Sequence, residues 1–594
     1  MIASIGPRPQ AGVGKLKHAP PLLVAQALSP ANQIFSQLLT VAALAIITVS
    51  PTNPILAQTP PQNFAVSGVV KDTTGQPLAN YSVSTEVNAT WVNDTIVQSR
   101  DTRSVQSTTD AQGRYRLSDL PAGEYRIMAR SGERFGSMLT KRVTVAGRDL
   151  DGIDFRIAVD GVISGKVVDE NKEPVPGLTV FLVSREYYLG TLRYFFRDTG
   201  RTDDRGQYRL NRVTAGHPYL IMADKSERRL PAHSEAPLDP KLRRRAPVRT
   251  WYPNSPAKEG AMAVVVGSGE RREGVDIELK KALAYCAEGI AEGPLGPGAL
   301  GFLIEAQSPS SGTSSGMGMY MAAPGGTTGA DGKFRICDLV PGTYRITVIQ
   351  RAPVQNQQPS NYATENIVVV DRDLRNLKLT AAPALPLAGE VVWDGPPPAT
   401  PVTNKVSVSL NPLLRANMGD NNGVRAEIPG TFSFPGVLMD DYTVRAFLNA
   451  PGLYVKDVTY NGRSVLHDSL RVGSAMGDAS LRVVVASDGA TINAAVADKD
   501  GNPVGDMTVV AIAADVSSEA MLAAQLVSGK TDQAGQYTRQ SLPPGKYYVM
   551  ASRDSFDVTP ESIGKLWRAR NRFTEVELPP SGTVQVSLKP IGFD

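Results

Sequence analysis

The chain has 594 residues, which is too long for one hydrophobic core and predicts three to six domains at roughly 100–200 residues each. It contains 54 Gly and 44 Pro, and 42% of its residues are hydrophobic, so it is rich in turn formers yet typical of a folded protein. A net charge of +4 and only four histidines argue against nucleic-acid binding through bulk charge and leave little material for a metal enzyme.

Residues 1–57 have the features of a secretory signal peptide. Arg8, Lys15 and Lys17 precede an apolar run at residues 38–49, and Ala57 provides a small residue for cleavage. The run of about 12 residues is short for a bilayer core of about 30 Å, which disfavours the alternative of an uncleaved anchor. Cleavage would lower the net charge from +4 to +1. We expect an exported chain that does not span a membrane once cleaved.

The sequence after residue 57 repeats one β pattern. Alternating apolar strands open at Gly68, Gly165, Gly389 and the equivalent Ala494, and most run into a turn rich in Asp, Gly and Pro. A second signal, typified by Thr-Asp-x-x-Gly-x-Tyr, follows 41–45 residues later. Its Gly is expected to supply the positive φ that closes a turn, at Gly113, Gly206, Gly332, Gly430 and Gly535.

A third signal lies ten residues after each of those glycines. Leu-Pro-x-Gly-x-Tyr is typical, with Gly123, Gly216, Gly342 and Gly545 in the turn position and Asp440 in the fourth copy. Seven or so short strands in about 95–125 residues indicate a β-sandwich. Helical periodicity is scarce, and its best candidates are residues 518–526 and 563–570.

We therefore predict an all-β chain: a tandem array of five Ig-like β-sandwich modules after a signal peptide. Val159–Gly161 and Ala381–Pro383 are short links, so we expect a monomeric, semi-rigid rod. The predicted boundaries are 1–57 for the signal, then 58–158, 159–281 (with insertions), 282–382, 383–487 (divergent) and 488–594.

The two cysteines, Cys286 and Cys337, fall within the third copy, 51 positions apart. An oxidising compartment permits them to pair, and we predict a disulfide that joins two strands or the two sheets of one sandwich. Two buried free thiols are the alternative.

These signals together resemble the carboxypeptidase regulatory-like domain, of the transthyretin-like (prealbumin-like) β-sandwich group, and are similar to Cna B-type repeats. Copies one, two, three and five match well and copy four loosely. The resemblance implies an exported bacterial cell-envelope protein built of β modules. In the namesake enzymes the module accompanies a zinc peptidase domain, for which residues 58–594 leave no room.

The residues favour no catalytic chemistry. His217, His233 and His467 lack the neighbouring ligands that zinc sites require, and we expect no cofactor. Asp498-Lys499-Asp500-Gly501-Asn502 resembles an acidic calcium-binding loop. An EF-hand loop needs Glu at its twelfth position, but the twelfth residue counted from Asp498 is Val509. We interpret Asp498, and the Asp203-Asp204 and Asp440-Asp441 pairs, as turn residues; calcium binding stays open.

Two insertions in copy two are the most distinctive features. One carries aromatic residues that are candidates for ligand binding, because exposed rings stack on sugars or anchor partners; core packing of a long hairpin is the alternative. With two residues downstream, the candidates are Tyr187, Tyr188, Tyr194, Phe195, Phe196, Trp251 and Tyr252. The other is a basic loop, Lys225 to Arg249, which would either touch anionic envelope polymers or lipids or remain solvated.

We expect a non-catalytic scaffold or adhesion-type protein, periplasmic, on the outer surface or secreted. Its partner would be an unknown envelope protein or polysaccharide, and no nucleic acid is expected. Carbohydrate binding through the same modules is the first alternative, and an accessory module of an envelope peptidase or transporter is the second.

Overall fold

The computed structural model describes residues 63–85, 88–92, 95–101, 104–131, 138–224, 245–294, 301–306, 325–351, 359–413, 423–473 and 480–593. The signal-like region and most of the basic loop lie outside these residues. Nearly all regular secondary structure in the described chain is β-strand, arranged as paired sheets, so the predicted all-β sandwich fold is confirmed. None of the described helices is long and apolar enough to span a membrane.

Segment 1 (residues 64–157) forms the sheets β6-β1-β9 and β5-β2-β7-β8, with a separate β3-β4 hairpin. Its strands are β1 (Phe64–Asp72), β2 (Ser82–Thr85), β3 (Asn88–Val92), β4 (Thr95–Asp101), β5 (Gln106–Thr108), β6 (Arg114–Leu120), β7 (Gly123–Arg130), β8 (Met138–Val145) and β9 (Phe155–Ile157).

Segment 2 (residues 161–283) forms β13-β10-β17, with β18 also on β10, then β12-β11-β14-β16, and a small β15-β19 sheet. A 3₁₀ turn covers Lys258–Gly260. The strands are β10 (Gly161–Val168), β11 (Thr179–Tyr188), β12 (Thr191–Arg201), β13 (Gln207–Val213), β14 (Tyr219–Asp224), β15 (Arg245–Pro247), β16 (Thr250–Trp251), β17 (Arg271–Arg272), β18 (Ile277–Glu278) and β19 (Lys281–Leu283).

Segment 3 (residues 285–383) forms β23-β20-β26 and β22-β21-β24-β25-β27. The strands are β20 (Tyr285–Glu292), β21 (Gly301–Ala306), β22 (Gly325–Thr327), β23 (Lys333–Leu339), β24 (Gly342–Arg351), β25 (Pro359–Val369), β26 (Leu374–Thr380) and β27 (Ala382–Pro383).

Segment 4 (residues 385–486) forms β31-β28-β36-β33-β34 and β30-β29-β32-β35. The additional β33-β34 hairpin widens its first sheet. The strands are β28 (Leu385–Trp393), β29 (Val406–Pro412), β30 (Gly423–Ala426), β31 (Gly430–Val437), β32 (Asp440–Phe447), β33 (Tyr454–Tyr460), β34 (Arg463–Ser464), β35 (Ser469–Val472) and β36 (Leu481–Ala486).

Segment 5 (residues 490–591) forms β40-β37-β43 and β39-β38-β41-β42, with β44 also on β41. Helix α1 (Glu519–Gln525) begins after Ser518, whose hydroxyl accepts from the N–H of Met521 at 3.2 Å, and lies where a helix was predicted. Helix α2 (Pro560–Ala569) continues into a 3₁₀ turn at Arg570–Arg572. The strands are β37 (Ala490–Val496), β38 (Thr508–Ala513), β39 (Val527–Lys530), β40 (Gln536–Leu542), β41 (Gly545–Ser552), β42 (Thr574–Leu578), β43 (Thr583–Leu588) and β44 (Pro590–Ile591).

The five segments share one connectivity. In each, the first strand pairs antiparallel with the strand that follows the turn of the second signal. The first strand also pairs parallel with a later strand of the segment. The opening Gly, or Ala494, lies directly opposite the aromatic residue of the second signal. Each segment also has its own cluster of buried apolar side chains between its two sheets.

The opening glycines allow this close packing. A Cβ at Gly165 would lie 2.0 Å from the carbonyl oxygen of Val275 on the parallel side. That same oxygen accepts a hydrogen bond from the Tyr208 hydroxyl at 2.6 Å, and Tyr115 bonds to Ile153 in the same way. Burial raises the pKa of the Tyr208 hydroxyl well above its ordinary value, so it stays a hydrogen-bond donor.

The predicted turn glycines form two groups, those that lie in turns with a positive φ and those that begin a strand. Gly113, Gly206, Gly332 and Gly535 have φ between 70° and 77°, whereas Gly430 has no positive φ because it is already the first residue of β31 and pairs with Val391. In the third signal, Gly216 has a φ of 76°, while Gly123, Gly342 and Gly545 each begin a strand. The tyrosine hydroxyl then donates to the carbonyl four residues earlier, at 2.8–3.0 Å, in Tyr125, Tyr344, Tyr442 and Tyr547.

The predicted disulfide is confirmed. Cys286 on β20 and Cys337 on β23 are joined at an S–S distance of 2.05 Å, across two antiparallel neighbours of one sheet. Both residues are buried.

The expected rod is wrong, because segments that are not consecutive touch one another. Residues 60–594 form one compact unit. Lys141 of segment 1 lies 3.3 Å from Asp506 of segment 5, and Gln533 donates to the carbonyl of Thr144 at 3.2 Å. An end-to-end rod would contain contacts only between neighbouring modules.

We expect removal of the disulfide to destabilise segment 3. Replacing both cysteines by alanine should lower the free energy of unfolding by up to about 4 kcal/mol, the chain-entropy value for closing a loop of 51 residues. Calorimetry with and without reductant measures this. The double variant should be insensitive to reductant, and a parent chain whose thiols label without reductant would contradict the bond.

We expect Gly165→Ala to destabilise segment 2 by about 2–4 kcal/mol, because the new methyl group collides with backbone rather than with a flexible side chain. Urea unfolding and hydrogen exchange of β10 measure the effect. Gly423→Ala is the matched control: it is also a strand glycine, but nothing lies within 4 Å of its added Cβ, so stability should change by less than about 1 kcal/mol. Equal effects in both variants would contradict the packing argument.

Candidate functional site

The most distinctive structure in the chain is the long β11-β12 hairpin of segment 2. Its pairing runs from Thr179↔Arg201 to Tyr188↔Thr191. Leu189 and Gly190 close the turn with φ of 49° and 77°, the positive values that a two-residue type I′ turn requires. We call residues 185–194 the hairpin tip. It carries three of the seven predicted ligand-binding residues, Tyr187, Tyr188 and Tyr194.

The hairpin tip docks on segment 5. The backbone N–H of Tyr187 donates to the carbonyl of Val558 at 2.7 Å, and its half-buried ring packs with the apolar cluster beneath α1 and α2. Arg185 forms an ion pair with Glu561 on α2. A Cβ at Gly190 would lie 3.2 Å from the carbonyl oxygen of Ala520 on α1, so the turn lies directly against this helix.

The other side of the hairpin tip contacts segment 4. Arg193 is 4% exposed, and its Nη2 donates to the carbonyl of Pro412 at 3.0 Å. Its guanidinium lies 5.2 Å from the centre of the Tyr188 ring, whose hydroxyl donates to Asn411 Oδ1 at 3.4 Å. Burial lowers the pKa of Arg193. A carbonyl and an aromatic face thus replace water around this cation.

The structure corrects part of the predicted ligand site. Phe195 is 5% exposed and Trp251 is 2% exposed, so neither ring has a face available for stacking. Trp251 belongs to an apolar cluster of segment 2. Tyr194 and Phe196 are half-buried against the cluster that contains Trp251, and Tyr252 packs on the main core of the segment. Tyr187 and Tyr188 are half-buried in contacts between segments, which the sequence could not indicate.

His217 is another residue whose neighbours come from elsewhere in the chain. Its Nδ1 lies 3.4 Å from Asp557 Oδ2 and its Nε2 lies 3.7 Å from Glu186 Oε1. The ring also lies 4.6 Å from that of Tyr219. Sequence reasoning placed His217 in a turn but missed these carboxylates, since Asp557 is 340 positions away. Within the described ranges, no group of three His, Cys, Asp or Glu side chains is arranged to hold a metal.

The acidic candidates for calcium binding are engaged in turns and ion pairs. Oδ1 of Asp498 accepts from the N–H groups of Asp500 and Asn502, both at 2.9 Å, and these hydrogen bonds lower the pKa of Asp498. Asp203 caps its own turn in the same way. Asp440 lies 3.4 Å from Arg345 and Asp441 lies 2.9 Å from Arg471.

The basic insertion lies mostly outside the described residues, which resume at Arg245. Arg245 lies 3.4 Å from Glu170, and Arg249 lies 2.9 Å from Asp224. These two arginines therefore neutralise carboxylates of segment 2. The prediction that the loop touches anionic polymers or lipids stays untested.

The first sandwich has a recognisable family. Residues 65–158 match the carboxypeptidase regulatory-like domain. The expected resemblance is therefore confirmed for this segment. The pairing of Gly68 with Tyr115 lies within the matched residues. No curated protein matches the chain.

Several solved pilins are similar to parts of the chain. The minor pilin GBS52 of Streptococcus agalactiae is 16% identical, with 37% of this chain and 96% of that chain covered and a TM-score of 0.23. The full-length major pilin SpaD of Corynebacterium diphtheriae is 10% identical, with 54% and 97% covered and a TM-score of 0.17. The major pilin subunit BcpA of Bacillus cereus is 11% identical, with 52% and 99% covered and a TM-score of 0.12. At such low scores, neither arrangement nor function is transferred from them.

We expect Tyr187→Ala to loosen the hairpin tip from segment 5. Loss of a half-buried aromatic ring from the α1-α2 cluster should cost about 1–3 kcal/mol and increase hydrogen exchange in α2 as well as in the tip. Tyr194→Ala is the matched control, because Tyr194 packs within segment 2 and its loss should leave exchange in α2 unchanged. Unchanged exchange in α2 for Tyr187→Ala would contradict the docking.

Proposed function

We propose that this chain is a non-catalytic, exported scaffold of the cell envelope, in which the hairpin tip holds β-sandwich segments in a fixed arrangement. The observation that carries the proposal is the use of the most distinctive side chains in contacts between segments: Tyr187 with segment 5, and Tyr188 and Arg193 with segment 4. A scaffold needs such contacts, because weakly joined domains move freely relative to one another.

Buried charges at a second contact support a fixed arrangement. Arg345 of segment 3 and Asp440 of segment 4 have side chains only 7% and 3% exposed and lie 3.4 Å apart. Removing one partner of such a pair would leave an uncompensated buried charge, which is strongly destabilising. The two segments are therefore held in the one orientation that keeps these charges together.

The signal-like residues 1–57 and the disulfide support export, since disulfides persist in oxidising compartments. The matched regulatory-like domain and the engagement of the acidic candidates in turns and ion pairs support a non-catalytic role. Carbohydrate binding at the predicted aromatic residues is disfavoured, because the rings of Phe195 and Trp251 are buried. An accessory role beside an envelope enzyme would use the same scaffold.

Fractionation of cells that produce the full chain tests export. We expect the protein in the envelope or the medium, with the leader removed near residue 57 and no reactive thiol. Retention in the cytoplasm with an intact leader and free thiols would overturn the proposal. Cys337→Ser serves as the thiol-positive control, because it leaves Cys286 unpaired.

Lysine crosslinking of the exported protein tests the fixed arrangement. Lys141 and Lys530 both approach Asp506, at 3.3 and 3.8 Å, so a short amine-reactive reagent should join positions that are 389 residues apart. Lys141→Arg keeps the charge and should abolish this crosslink alone. Lys172 and Lys281, which pair with carboxylates at one end of segment 2, provide the internal positive control. Absence of the long-range crosslink while the control pair reacts would overturn the arrangement.

A further inference from the structure

One outer sheet face of segment 4 is only half covered. In the sheet β30-β29-β32-β35, the even-numbered residues of β29 and β32 point into the core, and the odd-numbered residues point outward. At one end of this face, Asn411 and Pro412 contact the hairpin tip, and Thr443 is buried. At the opposite end, Arg425, Arg445 and Phe447 are exposed, and Ser407 and Ser409 are half-buried.

The exposed end has a defined layout. Ser407 pairs with Phe447 on one side and with Arg425 on the other, and Ser409 pairs with Arg445 and Gly423. We call these six residues, Ser407, Ser409, Gly423, Arg425, Arg445 and Phe447, the Phe447 face. Nothing lies within 4 Å of the Cβ position of Gly423. The serines and this glycine therefore form a low floor between larger side chains.

The aromatic ring on this face is available for a ligand. Phe447 is 48% exposed. Tyr442 and Val444, which point inward from the same strand, are buried in the core. The Arg445 guanidinium lies 5.0 Å from the centre of its ring, which orients both side chains. Because the Phe447 ring and the Arg445 guanidinium lie side by side next to Ser407 and Ser409, a flat ligand could contact the ring and the cation together.

The charge on the Phe447 face is unbalanced. Other cations of this segment have partners: Arg471 lies 2.9 Å from Asp441, and Lys405 lies 2.6 Å from Glu427. In the part of the chain that the structure describes, no carboxylate forms an ion pair with Arg425 or Arg445. Two such guanidiniums on the same sheet face as an exposed ring are complementary to an anion that also has an apolar face.

We propose that the Phe447 face binds an acidic polysaccharide whose sugars carry carboxylates. A pyranose ring stacks on Phe447, and Arg425 and Arg445 each bind a uronate carboxylate through paired N–H donors. The two arginines lie on strands separated by β29, roughly 10 Å apart at the strand spacing, so they reach different sugars of one chain. Membrane surfaces are usually bound by clusters of four to eight basic residues, more than this face offers. This site is additional to the scaffold role.

Titration calorimetry of the full chain with polygalacturonate, and with uncharged dextran for comparison, tests the proposal. We expect binding to polygalacturonate only. Arg425→Gln and Arg445→Gln should each weaken it about tenfold, the size expected for loss of a charge-assisted hydrogen bond. Phe447→Ala should weaken it about fivefold without changing charge, and Arg425→Lys should restore only part of the affinity lost in Arg425→Gln.

Arg471→Gln is the matched control, since it removes a positive charge from the same sheet where that charge is already paired with Asp441. It should change the affinity by less than about twofold. Equal weakening by Arg471→Gln, or an unchanged affinity in Phe447→Ala, would show general attraction to a polyanion and overturn the proposal. Binding to vesicles of phosphatidylglycerol in place of polygalacturonate would assign the face to lipid and also overturn it. Melting temperatures equal to the parent's would show that the variants are folded.

Discussion

The fold depends on a close approach of three backbones at the first strand of each segment. That strand lies between an antiparallel and a parallel neighbour. An aromatic residue lies opposite its opening glycine in segments 1 to 4 and opposite Ala494 in segment 5. At Gly165 the carbonyl of Val275 occupies the space that a Cβ would need, and the Tyr208 hydroxyl binds the same carbonyl. Because Gly165 has no side chain, the Tyr208 ring and the Val275 carbonyl can both pack against β10. The turns of the repeat bring the strands that carry these groups together.

Contacts between segments follow a different logic. The repeated residues build cores inside each sandwich, whereas the contacts use residues specific to one copy: the hairpin tip of segment 2, the helices of segment 5 and the buried pair of Arg345 with Asp440. Asp440 stands where the other copies have the glycine of the third signal. Divergence from the repeat pattern at this position thus coincides with a contact to another segment, which gives the irregular copy a structural role.

Much of the fold could be predicted from particular residues. The fixed interval between the two turn signals predicted the hairpin strands, and Ser518 predicted the start of α1. The placement of Cys286 and Cys337 on strands near each other in one copy predicted their bond. The candidate site was harder. Tyr187 and Trp251 are both aromatic residues of segment 2, yet one lies between segments and the other within a core, and nothing in their local pattern distinguishes them.

Length and composition suggested several domains rich in turns, and the sequence by itself determined the succession of strands along the chain, the two turn signals and the sandwich class of the repeating unit. These properties depend on residues a few to about fifty positions apart, whose spacing recurs. Only the tertiary structure decided that segments 1 and 5 touch, that His217 lies beside Asp557, and that the exposed Phe447 shares a sheet face with Arg425 and Arg445. Such contacts join residues from different sheets or segments, and their geometry follows from how completed sandwiches pack rather than from any local period.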